Sequence, residues 1–499
     1  MNNQGALFHK PKRNIAAKVV VFLVALVILF FLVFDINWLR PQLNETISTS
    51  SDSQTTIGNI DYSLTNPSIV TLYDVKMQQP GSGVSIKQVM VKVDFWRLFK
   101  RDLIIEHVSI EEPNFIVDVD VINQQSSTPT TTAEVGDKQV ATEQSESTKK
   151  PQLQLPINTL RVDQILISDL AVKDISQTQL FSLSGTNIRL TNLNLIQDAL
   201  FNSKAHLPGA KMQLYLENLT LQQQRIGSIK LLAQTEADDI IIEQFKVENT
   251  PSLIDFSSTI HQPFSLPQVK LTAKNNTLSL EQYAHFLQDA SIKPQGLVSF
   301  SANLSTKLET ETGEDALQNL VGSFSANIQP GKITGLDINS ALTALKDSQQ
   351  TSLLDIGGYV LTGPLGLIAG QLIELSSGIT ALGGETKIEH LSLISHIEQG
   401  KVDLTNTAMA TDEYRIALKG KADIIKQEFD NFEFAILNDK GCADVSQKLD
   451  GPMSNPTSAV ADSLLKSITS PVTDIVSGVT NTVSNCEVFY SGSVQQPQG

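Results

Sequence analysis

The chain has 499 residues, with 37 Lys+Arg against 53 Asp+Glu, a formal net charge of −16 and a pI near 4.9. That acidic balance argues against a nucleic-acid partner, because phosphate neutralisation needs a basic face, but it leaves contact with apolar lipid tails open. The length exceeds what one compact core usually organises, so one large module or two ordinary domains fit.

Residues 19–34, VVVFLVALVILFFLVF, contain no charge, glycine, proline or hydroxyl. The run reaches spanning length, roughly 20 residues, if residues 15–17 extend it and Lys18 snorkels its ammonium to the headgroups. Val19, Phe22, Leu26, Phe30 and Phe34 would face lipid and Trp38 would sit at the interface. Lys10, Lys12, Arg13 and Lys18 flank the run on its N-terminal side and Asp35 opens the other, which predicts a single-pass anchor with a cytoplasmic tail, residues 1–18. A cleaved signal peptide is the competing reading; it needs small residues after the apolar core, where DINWLRP stands.

Beyond the anchor, Leu39, Leu43 and Ile47 have helical spacing, either for a helix on the membrane surface or for one capping the first strands. Alternation then predicts strands through Val89, Val91, Val93 and Phe95, and through Phe115, Val117, Val119 and Val121. One short unit recurs: apolar, two mostly polar, apolar, any, apolar. It begins at Leu72, Ile86, Ile105, Val162, Leu190, Leu216, Ile242 and Ile388. Its even step is a strand, whereas its odd step of three changes the apolar face and predicts a bulge between the first and second apolar residues. From Val162 to Ile242 the copies start 28, 26 and 26 residues apart, an interval that suits a hairpin repeated along one long sheet.

Residues 123–150 have no aromatic and few branched aliphatic side chains, too little to offset ordering entropy, and read as a disordered insertion within the sheet. Helical spacing follows at Leu280, Tyr283, Ala284 and Leu287, at Ile338, Leu342 and Leu345, and over residues 457–484 with a break at Pro471. The uncharged stretch 356–373 has the length of a second span, but its glycines and Pro364 favour a loop and helix that touch protein or the membrane surface. Cys442 and Cys486 fall on the translocated side, where a disulfide persists; two buried free thiols are the other reading.

Catalytic signatures are nearly absent. The seven histidines form no H-E-x-x-H pair, and neither a phosphate-cradling glycine loop nor a G-x-S-x-G elbow occurs. Glu389, His390 and His396 are close enough to raise a metal site, but the first two are the polar pair of a strand unit, like Glu106 and His107. Asp238 and Asp239 would point to opposite faces of a strand. No enzyme activity and no cofactor are expected.

Asp35, Leu39-Arg40-Pro41, Ile57-Gly58, Pro67 and Leu72-Tyr73-Asp74-Val75 resemble the N-terminal region of the AsmA family of Gram-negative envelope proteins. Gly322-Ser-Phe324, the segment from Gly331 to Ile338, Gly400-Lys-Val402-Asp403 and Leu449-Asp-Gly451-Pro452 with Asn455-Pro456 resemble its C-terminal region. The resemblance implies an inner-membrane protein projecting into the periplasm, mainly β with a few helices toward the C-terminus. It also implies a β-groove that carries phospholipid acyl chains in outer-membrane lipid homeostasis. Val162, Leu190, Leu216, Ile242 and Ile388 are then the candidate groove-lining residues. The domains expected are residues 35–122, a central strand-repeat region 151–312, and a C-terminal region 313–499. An anchored scaffold that assists envelope-assembly proteins, its apolar face closed within its own core, is the alternative.

Overall fold

The computed structural model describes residues 54–63, 68–98, 100, 102–121, 159–177, 179–196, 209–263, 266–284, 292–309, 315–328, 330–348, 382–453, 457–460 and 486–497, with Arg40, Pro41, Asn44, Glu45 and Ser48. The apolar run 19–34 with Trp38, the insertion 123–150, the stretch 356–373 and the stripe beyond Val460 lie outside the described residues. Among the described residues no helix is long and apolar enough to cross a membrane. The chain divides into two compact units, residues 1–200 with 220–223, and residues 201–219 with 224–499. Both are mainly β.

The first unit contains β1 (Gln54–Thr56), β2 (Asn59–Tyr62), β3 (Ile69–Gln79), β4 (Ser82–Val93), β5 (Asp102–Glu111), β6 (Asn114–Val117), β7 (Thr159–Asp174) and β8 (Phe181–Ile196). β1 and β2 both lie on β3, which pairs with β4. β5 and β6 are two collinear pieces of one line along β4, broken where Glu112 takes a φ of 49° before Pro113. β7 runs parallel to both pieces, and β8 then pairs antiparallel to β7. The expected wholly antiparallel sheet is therefore corrected at this junction. A parallel neighbour needs a return connection of a dozen residues or more, and residues 118–158, which contain the polar insertion, are that connection.

Two strand boundaries also differ from the alternation. Phe95 leaves β4 for a short helix, Phe95–Leu98. The strand through Phe115 ends at Val117, because residues 119–121 turn helically and the Val121 N–H donates to Asp118 Oδ1 at 3.2 Å. The described residues between Arg40 and Ser48 are helical. They run along the first strands: Asn44 Oδ1 accepts from the Ile57 N–H at 3.1 Å, and Ser48 Oγ from the Thr55 N–H at 2.9 Å.

The odd step of the repeated unit is resolved in two ways. Single-residue bulges fall inside the units that begin at Ile105, Ile242 and Ile388, where the ladder register shifts. Elsewhere two units face each other, Leu72 opposite Val89 and Val75 opposite Ile86, or Val162 opposite Leu193 and Ile165 opposite Leu190. Both strands then take the odd step together, while Asp74 and Asn192 adopt left-handed φ values of 51° and 61°, a conformation that Asp and Asn tolerate best among side-chain-bearing residues. The regular interval is a hairpin only from Leu216 to Ile242. Val162 and Leu190 lie on adjacent strands, because β7 and β8 are each 16 residues long.

The second unit contains β9 (Lys211–Leu221), β10 (Gln224–Glu236), β11 (Asp239–Asn249), β12 (Ser252–His261), β13 (Gln268–Ser279), β14 (Lys293–Gln295), β15 (Leu297–Lys307), β16 (Val321–Ile328), β17 (Gly331–Leu336), β18 (Leu382–Glu398), β19 (Lys401–Thr411), β20 (Arg415–Asp423), β21 (Glu428–Leu437), β22 (Ala443–Pro452) and β23 (Thr457–Val460). They form an antiparallel meander in chain order, except that β13 pairs with β15, β16 with β18, and β14 with β17, which lies on the first half of β18. β23 pairs with β22, so the helical reading of residues 457–484 is corrected at its start; Thr457 to Val460 extend the sheet along Asp450 to Gln447. The expected helices at Leu280 and Ile338 form, as Leu280–Tyr283 and Ile338–Ser348.

The main core lies under the second of these helices. Ile338, Ala341 and Leu342 pack with Leu393, Leu404, Phe432, Phe434 and Leu449, all buried. Asp337 caps the helix: Oδ1 accepts from the Ser340 N–H at 2.9 Å and Oδ2 from the Ser340 hydroxyl at 2.6 Å. On another face of these strands, Ala408, Ala410, Ala417 and Ala435 are small enough for the C-terminal segment 486–497 to seat Tyr490 and Val494 against them. The expected Cys442–Cys486 disulfide forms, with Cα atoms 6.1 Å apart across 44 residues.

A candidate apolar face

Two parallel rows of apolar side chains cross the strands of the first unit. Register places Leu72, Val89, Ile110, Ile167 and Ile188 in one line, and Val70, Val91, Val108, Ile165 and Leu190 in the next. Positions two apart on a strand share a face, and direct cross-strand partners do too, so both rows lie on one side of the sheet. The line between them, on the other side of the sheet, reads Thr71, Met90, Ser109, Leu166 and Arg189, and next to it Lys92 pairs with Glu106 at 2.6 Å. The other side is thus polar on β3, β5 and β8 and apolar at Met90 and Leu166. Among the described residues, the buried apolar cluster of this unit consists of Ile57, Ile60 and Val75, with Leu72, Ile86 and Val89 against them, and Val162 is buried apart from it. Val91, Val108, Ile110, Ile165, Ile167, Ile188 and Leu190 remain half-buried.

The second unit carries a similar face on its early strands. Leu231, Phe245, Phe256, Ala273, Ala302 and Phe324 follow one another across β10 to β16, flanked by Ile229, Val247 and Ile254. Phe245 and Phe256 stack with ring centroids 4.8 Å apart, and both rings stay half-buried. Lys246 pairs with Glu248 at 2.7 Å from the alternating positions. An apolar band of this kind has no group that could polarise a bond; it can bind hydrocarbon.

The residues singled out from sequence fall in different settings. Val162 is buried between Ile105 and Leu193, and Leu190 lies half-buried opposite Ile165. Leu216 is buried, and Ile242 is half-buried between Ala233 and Ser258. Ile388 belongs to the closed core under the helix Ile338–Ser348. Sequence reasoning missed the phenylalanine pair on β11 and β12, since only Phe245 falls in a copy of the unit; the alternation Leu253, Asp255, Ser257 conceals Phe256 on the neighbouring strand.

His390 and His396 are six residues apart on β18, roughly 20 Å in an extended strand, too far to share one metal ion. Among the described residues no group of three or more His, Cys, Asp or Glu could hold a metal. Asp239 takes His261 as its partner, Oδ1 to Nδ1 at 2.5 Å on the surface.

No curated protein and no solved structure matches this chain. A family model does: that of the AsmA family, over residues 9–282, a stretch from the apolar N-terminal run through β13 that excludes the C-terminal motifs beginning at Gly322. With more than half of its length matched, the chain belongs to the AsmA family.

Proposed function

We propose that this protein is an inner-membrane-anchored periplasmic protein that binds phospholipid acyl chains along its apolar rows and supports outer-membrane lipid homeostasis. One observation carries the reading: half-buried aliphatic side chains continue from β3 to β8 in two adjacent rows set by the register. Hydrocarbon laid along such a row would replace water at about 25 cal/mol per Å² of apolar area, with no catalyst and no cofactor. The apolar run 19–34 would hold the first strands at the membrane, its N-terminal side cytoplasmic.

The test uses full-length protein extracted in a mild detergent, with mass spectrometry of whatever phospholipid travels with it. Ile165→Asp and Phe256→Asp each place a charge in a row and should cut bound phospholipid severalfold while leaving the strand content unchanged. Protein that is free of lipid under the mildest extraction would sink the reading. A reporter fused after residue 60 should be active only in the periplasm.

The scaffold reading has its own observation: β18 to β22 are packed by the helix on one side and by the C-terminal segment through the alanines. Under that reading, photocrosslinkers at Ile110 and Phe245 capture protein and no lipid.

A further inference from the structure

We propose that the turn between β4 and β5 is a membrane-contact element that inserts Trp96 into the interface of an anionic lipid leaflet. The inference rests on the anchored reading above and adds a second point of contact. Residues 95–101 read Phe-Trp-Arg-Leu-Phe-Lys-Arg, with three aromatic residues, a leucine, three cations and no acid, in a chain of net charge −16. The indole of Trp96 is 80 % exposed, the most exposed large apolar side chain among the described residues. Exposing so large a ring to water forfeits apolar burial that an interface would restore, and the amphipathic indole favours headgroup depth. Arg97 and Lys100 are exposed beside it. Asp94 lies against the turn: Oδ1 accepts from the Trp96 N–H at 3.2 Å and Oδ2 lies 4.0 Å from Arg97 Nε. That long contact leaves the guanidinium able to meet a phosphate. Each cation near an anionic surface adds to the attraction.

Position supports the same occupant. The turn sits at the end of the first unit's sheet where Ile69 pairs with Lys92 and the Val93 N–H donates to the Ser68 carbonyl. The described N-terminal residues run toward this end as their numbers fall. Arg40 donates to the Gly58 carbonyl while Ser48 lies at Thr55, so the lower-numbered residues lie nearer to Tyr62, where β2 ends opposite Val70. Five residues separate Phe34 from Arg40, at most about 21 Å of chain. Covalent reach therefore ties the end of the apolar run to the side of the sheet where Arg40 lies.

The sequence has two tryptophans, so Trp38→Phe leaves Trp96 as the sole indole. The full-length variant is reconstituted into vesicles of phosphatidylcholine, with and without phosphatidylglycerol as about a quarter of the lipid, and with brominated acyl chains in either. Insertion predicts a blue-shifted emission, loss of roughly half of it to brominated lipid, and stronger quenching when phosphatidylglycerol is present. Reversing the charges together, R97E with K100E and R101E, should remove the phosphatidylglycerol dependence while circular dichroism stays the same. Emission typical of an indole in water, insensitive to bromine in both compositions, overturns the proposal, as does quenching that ignores both phosphatidylglycerol and the charge reversal. Anchoring is read separately, by resistance of the same vesicles to alkaline carbonate extraction. Bound phospholipid is read by mass spectrometry. Loss of either with Trp96 quenching retained would count against the anchored lipid carrier and not against the contact element.

Discussion

Two sets of strands in this protein follow similar sequence rules and end in different environments. In β18 to β22, Phe432, Phe434 and Leu449 are fully buried under the helix Ile338–Ser348, and the alanine positions are closed by Tyr490 and Val494. In β4 to β8, Ile110, Ile165 and Ile167 fall into rows just as regularly, yet remain half-buried. Alternation therefore specifies which side of a strand is apolar. What that side meets is decided by segments distant in sequence.

The sharpest way to break this comparison is to truncate one side chain in each set. Phe432→Ala should cost about 3–5 kcal/mol, the usual range for emptying a closed aromatic site, because Leu342, Phe434 and Leu449 cannot collapse into the space. Ile165→Ala should cost only about 1 kcal/mol, since much of the side chain's transfer from water has not occurred in the protein. Denaturant midpoints followed by hydrogen exchange on peptides from each region would read both. Equal costs would mean that the row on β7 is as closed as the core on β21, and the lipid-binding reading would lose its main support.

A smaller effect tests what closes the alanine face. Breaking the Cys442–Cys486 bond by replacing both residues with serine removes a crosslink over 44 residues, worth up to roughly 4 kcal/mol by the chain-entropy model and usually less. Exchange should quicken in residues 486–497 and in β19 to β21, with β4 to β8 unchanged. Quickening in both sets would show that their stabilities are coupled.

Much of this contrast was legible in the sequence, for physical reasons that differ from residue to residue. The period of Val89, Val91 and Val93 shows a strand with one apolar face, and the odd step from Ile242 to Phe245 foretells a bulge because a regular pleat would send the two residues to opposite faces. The helix at Ile338 is marked by its spacing and by Asp337 before it. The parallel entry of β7 was hidden, since pairing direction depends on where the connection 118–158 returns and not on the residues of β7. Phe95 continues the alternation of β4 by side-chain type, but the backbone turns because the Asp94 N–H bonds to the Ile104 carbonyl and its carboxylate takes the Trp96 N–H. Of the candidate site, the individual apolar positions could be read, whereas the rows could not, because a row is a property of register between strands.

The smallest effect concerns the helix that makes the closed set closed. Hydrogen bonds from the Ser340 hydroxyl, and then from its backbone N–H, hold the Asp337 carboxyl below its ordinary value. A carboxyl whose folded value is depressed adds stability above its unfolded pKa, near 4, and that contribution is lost as pH falls through the lower folded value. Asp337→Ala should cost about 1 kcal/mol at neutral pH, as loss of an N-cap usually does. Asp337→Asn should cost less, because an amide oxygen still accepts from Ser340, and it should remove this residue's share of the acid sensitivity. Hydrogen exchange over residues 338–348, compared at pH 7 and below 4, separates these variants. If the acid sensitivity of the helix survives in Asp337→Asn, the cap does not control how firmly the cover is held, and the difference between the two sets of strands must come from the packing of Ile338 and Leu342 alone.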